Sequence, residues 1–274
     1  MQYAVRGEVV MRADELAAQG RKILLTNIGN PHSVGQKPLS FFRQVLSLCD
    51  LPPHLGIDHP AASQMFPQDA LERARFFHKV VGESGTGSYT CSQGMIGVRV
   101  LVSDFIAERD GHPADPNDIF LTNGASSAIE LTLNALIAGE NDAIMIPIPQ
   151  YPIYSALITR LGGCQVGYEL EEESGWRITR NELEKRLQEA KLQNKRVRGF
   201  VLINPGNPTG QVLGREDLKM VAKFCADNGI VLMSDEVYQR NVYPPDREFI
   251  SAKKVVSETP GCENVELVSY HSTR

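Results

Sequence analysis

Long apolar runs are missing from this 274-residue chain. No stretch approaches the roughly 18 consecutive apolar residues that a membrane-spanning helix requires. Paired cysteines are missing too: Cys49, Cys91, Cys164, Cys225 and Cys262 are far apart, odd in number and never in a Cys-x-x-Cys spacing. That excludes a disulfide framework and gives no zinc-ligand pattern, so no metal is expected and a reducing compartment fits best. An excess of basic residues is also absent, since 28 Lys and Arg stand against 33 Asp and Glu for a net charge of -5. A nucleic-acid or anionic-membrane surface is therefore disfavoured as the main partner, and a small molecule is favoured. Met1 to Leu25 carries Arg6, Glu8, Arg12, Asp14 and Glu15, so it lacks the apolar core of a signal peptide. The default address is cytoplasmic, and a mitochondrial or peroxisomal one would need further terminal sequence. Internal repeats and low-complexity tracts do not occur.

What is present is an ordinary globular composition, 42% hydrophobic and 22% charged, with enough length for one large or two ordinary domains. The first 60 residues read as a strand over Lys22 to Asn27, a turn-rich loop over Gly29 to Pro38, a helix through Val45 and a loop with Pro52, Pro53, Gly56 and Pro60. We place a domain boundary there, giving 1–60 as an N-terminal arm with part of a small domain and 61–274 as a large domain. Helical spacing follows over Gln68 to Val81 and Met95 to Asp110. Strands are then expected at Ile119 to Thr122, Ala143 to Ile146, Cys164 to Tyr168, Arg198 to Ile203, Ile230 to Ser234 and Val265 to Ser269. Helices are expected at Ala125 to Ile137, Ile153 to Leu161, Thr179 to Leu192 and Glu216 to Asn228. Thr179 and Glu182 have the spacing of a reciprocal capping pair. Short, wholly apolar strands such as Phe200-Val201-Leu202-Ile203 imply burial on both faces, so the alternation predicts an α/β fold with a mainly parallel sheet flanked by helices. Ligands of such sheets bind beyond the carboxyl ends of the strands.

Four segments at expected strand ends carry chemistry. Asn123-Gly124-Ala125-Ser126-Ser127 opens a helix with free amides and a hydroxyl, which suits either an anion or an ordinary serine cap. Pro147-Ile148-Pro149-Gln150-Tyr151-Pro152 fixes an aromatic ring rigidly, either for stacking on a flat heterocycle or as a stiff connector. Asn204-Pro205-Gly206-Asn207-Pro208-Thr209-Gly210 presents a side-chain amide to a ligand oxygen. Asp235-Glu236-Val237-Tyr238 puts a carboxylate beyond a buried strand, where it serves either as a helix cap or as the partner of a cation.

In their order, these segments resemble the fold-type I, pyridoxal phosphate dependent aminotransferases. The resemblance covers essentially the whole chain and is closest to the alanine and glutamate:glyoxylate aminotransferases. It is carried by Tyr3 to Glu8, Asn27 to Gln36, Ile148 to Pro152 and Asn204 to Gln211. It implies pyridoxal 5'-phosphate as cofactor, with its phosphate on Ala125, Ser126 and Ser272. Tyr151 matches the ring that stacks on the pyridine, Asn207 and Tyr238 match the pair on its phenolic oxygen, and Asp235 matches the partner of its nitrogen. Tyr89, followed by Gly94 and Arg99, matches the tyrosine that reaches a neighbouring subunit's phosphate, implying a homodimer. Gly29, with Asn207, matches the substrate-binding positions. Cis bonds are implied before Pro149 and Pro208.

The family's Schiff-base lysine would follow Ser272 by three residues, and the chain reads Ser272-Thr273-Arg274. None of its ten lysines matches that position, and Lys253 and Lys254 read as a solvated helix surface. The expectation is thus a C-terminally truncated alanine:2-oxoglutarate aminotransferase, inactive alone, with an incomplete small domain, acting in the whole protein on an amino acid and a 2-oxo acid. The alternatives are a glutamate:glyoxylate aminotransferase, a non-catalytic cofactor-binding or dimer-interfering product, and a β-lyase on the same scaffold, which the N-terminal match disfavours.

Overall fold

The computed structural model describes residues 7–24, 31–82 and 85–273. In chain order the elements are α1 (Glu8–Ala18), α2 (Phe41–Asp50), α3 (Ala62–Met65), α4 (Gln68–Val81), α5 (Ile96–Asp110), α6 (Gly124–Leu136), β1 (Asp142–Ile148), α7 (Ile153–Arg160) and β2 (Cys164–Glu169). They continue with α8 (Arg180–Leu192), β3 (Arg196–Ile203), α9 (Arg215–Asn228), β4 (Val231–Asp235), α10 (Ala252–Glu258) and β5 (Leu267–Tyr270). The chain falls into two compact units, one of Ser103–Ala114 and Thr122–Arg274, the other of Ala4–Val102 and Asp115–Leu121. The division at residue 60 remains our proposal for the domains of the whole protein.

The first unit holds a sheet in the order β2-β1-β3-β4-β5, with every pair parallel. Parallel strands need crossovers, and α7, α8 and α9 supply those between successive strands from β1 to β4. One face of the sheet meets α6 and α7 through Ile129, Leu133, Tyr154 and Ile158 against Ile144, Val201 and Met233. The other meets α8, α9 and α10 through Leu183, Leu187, Val221, Phe224 and Val255 against Met145, Phe200 and Leu232. With both faces covered, β1 and β3 bury nearly every side chain over their apolar stretches, as their unbroken hydrophobic runs require. Tyr168 and Phe200 stack at 4.8 Å inside the second of these layers.

The order reverses between β1 and β3, the place where an open α/β sheet leaves a crevice at its carboxyl edge. Register fixes who meets there. Ile203 stands opposite Asp235, and Asp235 opposite Tyr270. The exits of β3, β4 and β5 are further tied by Asn204 N–H to the Asp235 carbonyl and Glu236 N–H to the Tyr270 carbonyl, both at 3.0 Å.

The second unit packs α2, α3 and α4 around Val45, Leu48, Ala70, Leu71 and Ala74. Among the described residues no helix is long and apolar enough to cross a membrane.

Three local expectations fail. Ile119 to Thr122 is not a strand; one backbone bond, Leu121 N–H to the Gln93 carbonyl at 2.8 Å, is no ladder. Lys22 to Leu24 has no regular structure, and the remainder of that expected strand lies outside the described residues. The capping pair of α8 is half made: Thr179 accepts the Glu182 N–H at 3.4 Å, while the Glu182 carboxylate is taken by the Glu169 N–H and by Arg186. Helix α1 had no counterpart in the sequence reading, and none of its residues is buried, so it carries little core signal.

Candidate functional site

Asp235 is the last residue of β4 and is 7% exposed. Its Oδ2 accepts the Tyr154 hydroxyl at 2.8 Å and its Oδ1 accepts the Val237 N–H at 3.2 Å. No cation among the described residues pairs with it. Burial pushes its carboxyl pKa above the ordinary carboxylate value; the bonds from Tyr154 and Val237 offset that in part, and the charge of Glu236 adds to it. Tyr154 is itself fully buried, and burial together with the Asp235 charge holds its phenol well above its usual range, so it stays a donor. The site is thus a desolvated carboxylate with two donors and lone pairs to spare, a setting that favours a cationic partner. Of the two readings left open for Asp235, the helix cap is not realised: only a turn follows at 237–240, and the Val237 bond is a local side-chain-to-backbone contact within it.

At the exit of β3, Asn204 is almost wholly buried and its Oδ1 accepts the Leu213 N–H at 2.9 Å, closing the loop on itself. Gly206 N–H donates to the Gln211 carbonyl and Gly210 N–H to the Gly206 carbonyl. The Thr209 hydroxyl donates to Gln211 Oε1. A Cβ at residue 206 would collide with Gln211 Oε1, so that side chain would have to move away from the loop. Asn207 is half-buried and lines a cavity of about 10 Å³ with Pro147, Pro149, Tyr168 and Gln211, room for roughly one water. The bonds before Pro149 and Pro208 are cis as expected, and so is the one before Pro205.

Beyond β1, Tyr151 is half-buried and packs on the cluster that contains Tyr154 and Tyr270, and Ala125 of α6 packs on the same cluster. Gln150 Oε1, next in the chain to Tyr151, is buried and receives no hydrogen bond from the described residues. Helix α6 opens at Gly124, φ +75°, with no side-chain cap from Asn123. The amides of Ala125 and Ser126 are among the first four that no helical carbonyl can take, and Ser126 is exposed. Tyr238 is 40% exposed, three residues beyond Asp235, and half-buried Ser272 follows β5 by two residues. The fold therefore gathers Tyr151, Asn207, Asp235, Tyr238 and Ser272 at the carboxyl edge of one sheet, with Ala125 and Ser126 opening a helix on one of its faces. This set fits a planar phosphorylated pyridine: a buried anion, an aromatic, an amide, a phenol and an anion-ready helix start.

Tyr89 belongs to the other unit and is fully exposed. There the buried Arg99 donates to the carbonyls of Gly94 and Pro116 at 3.1 and 2.7 Å and to Gln93 Oε1 at 3.2 Å, a structural clamp. Gly29 lies outside the described residues, as do Tyr3 to Arg6 and Asn27 to Asn30. Sequence reasoning gave no role to the Tyr154 hydroxyl or to the Asn204 amide. For Tyr154 a signal existed, since its hydroxyl falls on the apolar stripe of α7 and so needs a buried acceptor.

The parallel sheet flanked by helices is the fold of solved aminotransferases of fold type I, and comparison with known proteins fixes the family. The chain belongs to the aminotransferases of class I and II, whose family model matches residues 62–268. It is 48% identical over 273 residues to glutamate–glyoxylate aminotransferase 2 of Arabidopsis thaliana, covering 99% of this chain and 56% of the relative. It is 46% identical to the mitochondrial alanine aminotransferase 1 of the same plant, covering 99% and 51%. A solved alanine aminotransferase from Pyrococcus furiosus shares the fold at 24% identity and TM-score 0.72, over 98% of this chain and 56% of that one. The chain spans about half the length of the curated relatives it matches.

Proposed function

We propose that the protein to which this chain belongs moves an amino group from an amino acid to a 2-oxo acid with pyridoxal 5'-phosphate as cofactor. The observation that carries the reading is Asp235, a buried carboxylate with no cationic partner among the described residues, at the sheet edge where the other candidate groups converge. When bound, the cofactor supplies an aldehyde that takes up the amino group and a ring that spreads negative charge from the substrate Cα. Asp235 would keep the ring nitrogen protonated, its own raised proton affinity being offset by the cation it gains. Tyr154 would hold the carboxylate in place by donating to Oδ2. Tyr151 would bear on the ring face, Asn207 and Tyr238 would donate to the phenolic oxygen, and Asn207 would also face the substrate. Ala125, Ser126 and Ser272 would take the phosphate through amides and hydroxyls. The full exposure of Tyr89 supports a role in reaching a second copy of the chain, and Gly29 is proposed to cover the substrate carboxylate.

Alanine with 2-oxoglutarate is the first substrate pair, and glutamate with glyoxylate is the second, favoured by the plant relative at 48% identity. The two donors differ in side-chain length and charge, so the rates with each must decide. The test is pyridoxal phosphate titration of the full-length natural product, followed by both transaminations. Saturable binding that Asp235→Ala leaves measurable, with turnover falling far more than affinity, is expected because the charge acts mainly in the transition state. Near-normal turnover in Asp235→Ala would overturn the assignment.

A further inference from the structure

Three of the proposed cofactor residues are followed or preceded in the chain by a side chain that joins one polar cluster. Asp235 turns toward Tyr154, whereas Glu236 turns to the other side and accepts the Ala252 N–H at the start of α10 at 2.8 Å and the Ser234 hydroxyl at 3.2 Å. Gln239 follows Tyr238, and His271 precedes Ser272. At the centre of the cluster is Arg109, from the last turn of α5. Its Nη1 lies 2.9 Å from Gln239 Oε1, 3.3 Å from Glu236 Oε2 and 3.4 Å from His271 Nε2. Its Nε and Nη2 grip both oxygens of Asp110 at 2.7 and 2.8 Å, and Asp110 accepts the hydroxyl of Ser251, the N-cap of α10. The guanidinium carbon sits 5.9 Å from the Phe105 ring centre and 5.5 Å from that of Phe249.

Nη1 has two protons, and Gln239 and Glu236 take them. His271 Nε2, 3.1 Å from the same Glu236 oxygen, is therefore the donor to it rather than an acceptor from Arg109. Asp110 and Glu236 are both 1% exposed, so the cluster is a buried ionic network, an arrangement better at fixing geometry than at adding stability. We infer that Arg109 is a positioning residue of the cofactor site. By holding Gln239 and Glu236 directly, and His271 through Glu236, it sets the backbone, and hence the side chains, of Asp235, Tyr238 and Ser272. A lysine would keep the charge but could not reach these acceptors and Asp110 in one plane.

The inference rests on the cofactor reading, and its test separates the two. The full-length natural product would be titrated with pyridoxal phosphate as wild type, Arg109→Lys, Gln239→Ala and Asp142→Asn, recording affinity, the absorption and circular dichroism of the bound cofactor, and the melting temperature of each cofactor-free form. Asp142→Asn is the structural control, for it weakens an ion pair between the buried Asp142 carboxylate and the exposed Arg196 at the opposite end of β1. Arg109→Lys should weaken binding about ten- to hundredfold, the scale seen when outer partners of a bound group are lost, and should change the cofactor's spectrum. Gln239→Ala, which leaves every charge in place, should shift the spectrum through Tyr238. Asp142→Asn should lower the melting temperature without changing affinity or spectrum. Folded variants whose affinity and spectrum match wild type would overturn the inference, as would an equal loss of affinity in Asp142→Asn. If Arg109→Lys fails to fold, an unchanged spectrum in Gln239→Ala overturns it alone. A wild type that does not bind pyridoxal phosphate would instead overturn the cofactor reading and this inference together.

Discussion

The Tyr154 hydroxyl donates to Asp235 Oδ2 across 2.8 Å, from the first turn of α7 to the end of β4, with both side chains buried. The pair links the helix that leaves β1 to the strand that ends in the candidate carboxylate. Tyr154→Phe keeps the packing and removes only the donor, leaving Oδ2 without a partner among the described residues. Unfolding of the cofactor-free form should cost about 1–3 kcal/mol less, most of it above the ordinary carboxylate range, where Asp235 is ionised. Urea melts at several pH values would check this, and a neutral substitution would show that the pair is incidental.

Asp235 itself should make stability depend on pH in an unusual direction. Burial raises its pKa above 3.8, Glu236 adds to the rise, and the two donors only partly oppose it. The folded chain then holds this proton more tightly than the unfolded chain, so the stability it contributes is present below about pH 4 and is lost as pH rises through the raised value. Asp235→Asn removes that titration. The cofactor-free variant should therefore melt higher than wild type at neutral pH, with the gap closing toward acid, while its cofactor affinity falls. A wild type that gains on the variant as pH rises would have the sign reversed and would refute the argument.

The sheet and the loops at its edge were readable from residues because each signal there is local. Continuous apolar runs such as Phe200 to Ile203 need a covered parallel sheet, and the Pro- and Gly-rich exits are visible without any tertiary information. Asn207, Asp235 and Tyr238 were singled out for that reason. Arg109 was not, because it lies in α5, 127 residues before its Glu236 partner, on a helix whose sequence promises only amphipathic packing. The strand expected at Ile119 to Thr122 failed for the complementary reason: propensity supplies a strand's conformation, but only a neighbour supplies its ladder.

Gly206→Ala should test how the β3 exit is held. The new Cβ would fall 2.0 Å from Gln211 Oε1, forcing that amide away from the Thr209 hydroxyl and disturbing Asn207. The expected loss is about 1–3 kcal/mol, typical of overpacking. Adding Gln211→Ala removes the obstacle, so the double variant should be more stable than the sum of the two single losses predicts, with a coupling of roughly 0.5–3 kcal/mol. Strict additivity in thermal or urea melts would mean that the loop accommodates residue 206 by moving elsewhere.

The last prediction concerns which lysine this chain can offer the cofactor. The exits of β1, β3, β4 and β5, over 149–152, 204–214, 236–251 and 271–273, contain none of the ten lysines. Lys253, the first lysine after Asp235, already donates from Nζ to the Pro113 and His112 carbonyls at 2.7 and 3.4 Å. Lys254 lies beside it on the same short helix. A nucleophilic lysine needs a desolvated position against the bound aldehyde, and neither residue has one. The 274-residue chain, mixed with pyridoxal phosphate and reduced with borohydride, should therefore yield no stoichiometric pyridoxyl-lysine peptide by mass spectrometry. Its rate from alanine to 2-oxoglutarate should match that of the free cofactor, because a positioned base is worth about 10²- to 10⁴-fold. A stoichiometric adduct on Lys253 would show that its carbonyl contacts give way to the cofactor, and would move the search for the proton-transferring group from the sheet edge to the start of α10.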